Sequence, residues 1–104
     1  MASPSRGEVW LVDLGYVAKV RPCLVLSVDP GPQDRALATL VIHTTSTRNS
    51  RFEVATNVRF LQPGAFDAQN IITISLAKLQ RRLGTLPADQ LATVEDAVRR
   101  WLSL

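Results

Sequence analysis

A chain of 104 residues with 12 Lys and Arg against 9 Asp and Glu, net +3, has room for one core and not for two. A single domain over residues 1–104 is therefore expected, burying about two-thirds of its unfolded surface. One cysteine and one histidine exclude an intrachain disulfide and a Cys/His zinc site.

No apolar run is long enough to span a membrane, and Met-Ala-Ser-Pro-Ser-Arg-Gly-Glu has no hydrophobic segment of the signal-peptide kind, so a cytoplasmic protein is expected. The apolar fraction of 46% and mean hydropathy of +0.08 exceed what so small a body can hide, which predicts a homodimer. A sequence pI near 9.8 suits a polyanionic partner.

In chain order the sequence reads as short strands closed by one helix. Residues 7–14 alternate, with Val9, Leu11 and Asp13 on one side and Trp10, Val12 and Leu14 on the other. A short connection, Gly15 to Lys19, returns the next strand, 20–28, beside the first as a hairpin. Within it, Cys23 to Val28 is apolar at nearly every position, the mark of a strand covered on both faces. Pro22 is expected to mark its start. Proline donates no ladder bond and restrains its predecessor to extended geometry, which holds Arg21 at the strand's mouth. Residues 29–34 are dense in turn formers.

Leu37 to His43 resumes the strand pattern, and residues 44–50 form a polar break rich in hydroxyls. Phe52 to Ala55 is a short strand, Pro63 to Phe66 a turn, Asn70 to Ile74 a β-branched strand, 75–80 a helical or coil turn, and 81–86 a last strand. Pro87 opens a helix in which Leu91, Val94, Val98, Trp101 and Leu102 share a face. Trp10 and Trp101 both read as core. The expected fold is mainly β with a C-terminal helix, a small and strongly bent SH3-like barrel.

The familiar phosphate-loop, dinucleotide, HExxH and GxSxG signatures are absent, and the acids are scattered singly rather than paired. The remaining chemistry lies in Arg21, in the loop from His43 to Arg51, and in Lys78, Arg81 and Arg82. From the residues alone Arg21 either pairs with an acid such as Asp13 or Asp29 or offers its two-pronged guanidinium to an anion. Thr44 and Thr45 either bond the local backbone or serve a ligand.

Arg6-Gly7-Glu8-Val9-Trp10-Leu11-Val12-Asp13-Leu14, Arg21-Pro22-Cys23-Leu24-Val25-Leu26-Ser27 and Ile42-His43-Thr44-Thr45-Ser46, with Phe52-Glu53-Val54 after it, resemble the MazF/PemK toxins. The likeness extends to Gly84-Thr85-Leu86 and the terminal helix. It implies a homodimeric toxin endoribonuclease of a type II toxin-antitoxin system, cutting single-stranded RNA at short sequences without a metal or cofactor and neutralised by a cognate antitoxin.

Carried over by position, the family's essential arginine falls on Arg21 and its essential threonine on Thr44. His43 stands beside them as a candidate general base. Thr45, Ser46, Arg48, Arg51, Lys78, Arg81 and Arg82 are the expected RNA-binding set. The chain departs from the family in its short connection before Arg21 and in Ile42-His43, where many relatives carry Pro and a small residue. The alternative class is a module that binds nucleic acid or protein without cutting.

Overall fold

The computed structural model describes residues 3–17 and 19–104; Met1, Ala2 and Ala18, the last of these in the expected 15–19 connection, lie outside the described residues. Six strands run β1 (Glu8–Asp13), β2 (Val20–Val25), β3 (Leu37–Thr44), β4 (Glu53–Ala55), β5 (Ala65–Ser75) and β6 (Leu79–Thr85), followed by α1 (Ala88–Leu102). They form one sheet in the order β4-β5-β3-β2-β1-β6, and every pairing is antiparallel.

Alternation along these strands gives the sheet two dry faces. Val9, Leu24, Val41 and Phe66 pack on one side with Val94, Ala97 and Val98 of α1. Val12, Cys23, Val25, Leu40 and Ile42 pack on the other with Leu76 and Leu79. Burial pushes the Cys23 thiol up to about 12, with the nearby Arg21 charge opposing the shift, so this cysteine is an inert part of the core.

The barrel is open. Among the described residues β4 and β6 are the two edges, and side chains close the seam between them. The sheet curls until the Phe60 ring, five residues beyond β4, lies flat on β6: a Cβ on Gly84 would fall 2.5–2.9 Å from three of its ring carbons. Only a glycine admits that ring.

Several boundaries differ from the expected ones. β2 ends at Val25 rather than at 28, because the Thr39 N–H donates to Ser27 Oγ at 2.9 Å and a side chain takes over from the ladder. β2 also begins at Val20, with Pro22 inside it opposite Leu11. Ala65 and Phe66, expected in a turn, open an eleven-residue β5. Its register slips between Ile42↔Asp67 and Val41↔Ile71, so Ala68 to Asn70 form a bulge, with Asp67 Oδ1 accepting from the Gln69 N–H at 3.0 Å. That polar bulge interrupts the apolar pattern and hides the strand from a periodicity reading.

On α1, Val94, Ala97 and Val98 are buried, but Trp101 and Leu102 are 44% and 49% exposed. The reading of Trp101 as core is corrected accordingly. Its ring meets Phe52 edge-on at 5.4 Å and otherwise faces outward, since the helix outruns the short β4 beneath it.

Candidate active site

Arg21 and Thr44 meet because a ladder ends. β2 pairs with β3 through Val25↔Leu40, Leu24↔Val41 and Cys23↔Ile42, and the pairing stops there. At the next step Pro22 has no N–H to offer. Continuing the same register one residue further places Arg21 across from Thr44, at the point where the strands part. Both side chains leave from the face that carries Cys23, Val25, Leu40 and Ile42. They line one cavity of about 530 Å³ together with Ser46, Arg48, Asp67 and Asn70.

The Thr44 hydroxyl accepts from the Ser46 N–H at 3.0 Å, while its own proton reaches the Ser46 carbonyl only at 3.5 Å. That is the limit of a useful bond, so the proton remains available to an anionic oxygen beside Arg21. The following loop is shaped by Glu53, whose carboxylate accepts from the backbone N–H groups of Arg48 and Ser50 at 3.0–3.1 Å. Gly64 supports Thr44 from behind: a Cβ there would run into the Thr44 carbonyl oxygen and the His43 Cε1.

His43 leaves β3 on the opposite face, beside Val41. Only 3% of it is exposed; its ring meets Phe66 edge-on at 5.1 Å, and Nε2 has no hydrogen-bond partner among the described residues. Burial lowers its pKa, so the imidazole is neutral at pH 7. It lines a second cavity of about 400 Å³. Arg21 borders both cavities.

The expected RNA-binding set divides. Ser46 and Arg48 line the Thr44 cavity, and Thr45 and Arg81 line the one beyond Arg21. Arg82 is instead drawn to Glu8, 3.1 Å away. Burial alone would raise the Glu8 carboxyl, but bonds from the Ser5 N–H, the Trp10 indole and Arg82 outweigh it and hold the pKa below its ordinary value. Arg51 lies over the Phe52 ring at 4.6 Å, and Lys78 sits in the last turn of the short 3₁₀ segment before β6.

Sequence reasoning missed Glu53, Asp67, Asn70, Phe60 and Gln62, which border these cavities. It also missed the close approach at Gly64. Among the described residues no three His, Cys, Asp or Glu side chains gather as metal ligands.

A family model described as "PemK-like, MazF-like toxin of type II toxin-antitoxin system" matches residues 5–102. The chain belongs to that toxin family. It is 32% identical over 112 residues to endoribonuclease MazF6 of Mycobacterium tuberculosis, covering 96% of this chain and 97% of that protein; endoribonuclease MazF2 of Mycobacterium bovis is similar to the same extent. A solved mycobacterial endoribonuclease in complex with its cognate antitoxin superposes with a TM-score of 0.84 at 28% identity, covering 98% of this chain and 97% of that one. A MazE-MazF structure from Deinococcus radiodurans shares the toxin fold with a TM-score of 0.84 at 22% identity, covering 100% and 99%.

Proposed function

We propose that this toxin-family chain is an endoribonuclease that cuts single-stranded RNA at a preferred sequence and needs no metal ion. The observation that carries the reading is the placement of Arg21 across from Thr44 where the β2–β3 ladder parts, with a cavity in front of them. The ribose 2′-oxygen attacks the adjacent phosphorus and the bond to the 5′-oxygen breaks, leaving a 2′,3′-cyclic phosphate. The 2′ proton passes to water, and the departing 5′-oxygen takes a proton from water.

Arg21 stabilises the charge that grows on the phosphorane with a fixed, two-pronged cation. The Thr44 hydroxyl gives a hydrogen bond to a phosphoryl oxygen. His43, neutral and directed to the other face, is left out of the chemistry. The test is cleavage of a long unstructured RNA with chelator present. Fragments with 5′-hydroxyl ends are expected, and a 2′-deoxy substitution at the cut should abolish cutting there. RNA binding without cleavage, or cutting past the 2′-deoxy position, would sink the reading.

The same reading gives the toxin a protein antitoxin as its partner, supported by the antitoxin complex among its structural relatives. It also makes the toxin a homodimer, a reading supported by the exposed Val28, Leu37, Trp101, Leu102 and Leu104. Sedimentation at micromolar concentration should give about twice the 11.4 kDa chain mass; a strictly monomeric species would count against the dimer.

A further inference from the structure

Arg21 stands in the wall between two cavities of different character. The one shared with Thr44 mixes hydrogen-bonding groups such as Asn70, Asp67 and Arg48 with Leu14, Ile42 and Ile72. The other, of about 400 Å³, is lined by Leu11, Pro22, Phe60 and Leu83, with Lys19, Arg21, Arg81 and Gln62 bordering it. A phosphate held by Arg21 would therefore have the more polar recess on one side and the more apolar one on the other. A nucleotide chain crossing Arg21 would meet unlike surroundings on its two sides.

We propose that the apolar cavity is a nucleobase subsite that sets one position of the cleavage sequence, with Phe60 as its stacking wall and Gln62 as its reader. This rests on the endoribonuclease reading above. Three features suit an unstacked base. Phe60 is pinned flat against β6 at Gly84, so its free face is a rigid platform rather than a mobile ring. The Gln62 amide, exposed beside it, both donates and accepts and can match a base edge. Arg21 and Arg81 at the mouth complement the phosphates on either side of the inserted base. The buried His43 adds its ring to the same wall.

The experiment maps the 5′-hydroxyl ends left on a long RNA by the full chain, without added metal, by sequencing the fragments. The wild-type chain is expected to show a marked base preference at a position flanking the cut. Gln62→Ala and Phe60→Leu should each weaken that preference by about tenfold at this position while other positions keep theirs. Gly84→Ala, outside the cavity, should act in the same way by lifting the Phe60 ring, with circular dichroism as the folding control.

An unchanged preference in both Phe60→Leu and Gln62→Ala, in chains that still cut, overturns the subsite and leaves the nuclease reading intact. If the wild-type chain cuts nothing, the nuclease reading fails by itself. The subsite is then decided by the Phe60 ring-proton resonances on addition of a random-sequence single-stranded 2′-deoxy oligonucleotide. A shift supports it, and unmoved resonances overturn it.

Discussion

Arg81 and Arg82 are consecutive in β6 and belong to different parts of the molecule. Arg81, opposite Leu11, opens onto the cavity beside Arg21. Arg82, opposite Trp10, turns to Glu8 and joins the knot that ties the amino-terminal segment to β1 and β6. The same division separates Arg48, at the Thr44 cavity, from Arg51, laid on Phe52. Neighbouring cations are thus split, by strand alternation in β6 and by the path of the loop before β4, into groups that face a cavity and groups that serve the fold. Charge counting cannot tell them apart.

The largest effect expected of a site-facing cation is at Arg21. Arg21→Ala should lower RNA cleavage by about a hundredfold, or roughly 3 kcal/mol of transition-state stabilisation, with the circular dichroism spectrum unchanged. Arg21→Lys should recover part of the activity, because an ammonium lacks the planar fork. Full activity in Arg21→Ala would place Arg21 among the cations that serve only the fold. Thr44→Ala removes a neutral hydrogen bond rather than a charge and should cost less, about tenfold in the same assay; no loss at all would take the hydroxyl out of the mechanism.

The sharper test sets the neighbours against each other. Arg81→Ala should weaken single-stranded RNA binding and reduce the slope of log affinity against log salt by about 1, whereas Arg82→Ala should leave that slope in place. Arg82→Ala should instead lower thermal stability slightly, by less than about 1 kcal/mol, since the pair is largely exposed on the arginine side. Equal salt slopes in the two variants would mean that both arginines face the RNA.

The smallest effect concerns His43 and pH. Its folded pKa lies below the ordinary 6.5 because the ring is buried. Between the folded and unfolded values the unfolded chain binds the extra proton, so stability is fully present above about pH 6.5 and declines as pH falls below it. His43→Gln should flatten this part of the melting-temperature profile. Cleavage by the wild-type chain should show no rise through pH 6.5 of the kind a histidine base gives. A hundredfold loss of cleavage in a folded His43→Ala chain would restore the imidazole to the chemistry.

Much of the fold was legible because local patterns agreed with it. The alternation of Val9 to Asp13, the doubly apolar Cys23 to Val25, and Leu91, Val94 and Val98 at helical spacing all appear where expected. β5 reads short from the sequence because Asp67 and Gln69 stand where the pattern wants apolar residues. Helical spacing puts Trp101 in the core because spacing does not report how far the neighbouring strand reaches.

For the site, the sequence put Arg21 beside Pro22, but nothing local puts Thr44 across from it. That juxtaposition comes from the β2–β3 register, a non-local quantity. Phe60, Gln62 and Asp67 were invisible for the same reason, since their roles depend on how far an open sheet curls.

Gly64 gives the molecule a weak point directly behind Thr44. The atom in the way of any side chain there is a main-chain oxygen, which has no rotamer to escape into, so even a single methyl has to displace the end of β3 and Thr44 with it. For a cell burdened by an active toxin, the shortest genetic route to relief need not touch Arg21 or Thr44. One changed base at the Gly64 codon is expected to displace Thr44 and so, on the proposed mechanism, to lower cleavage.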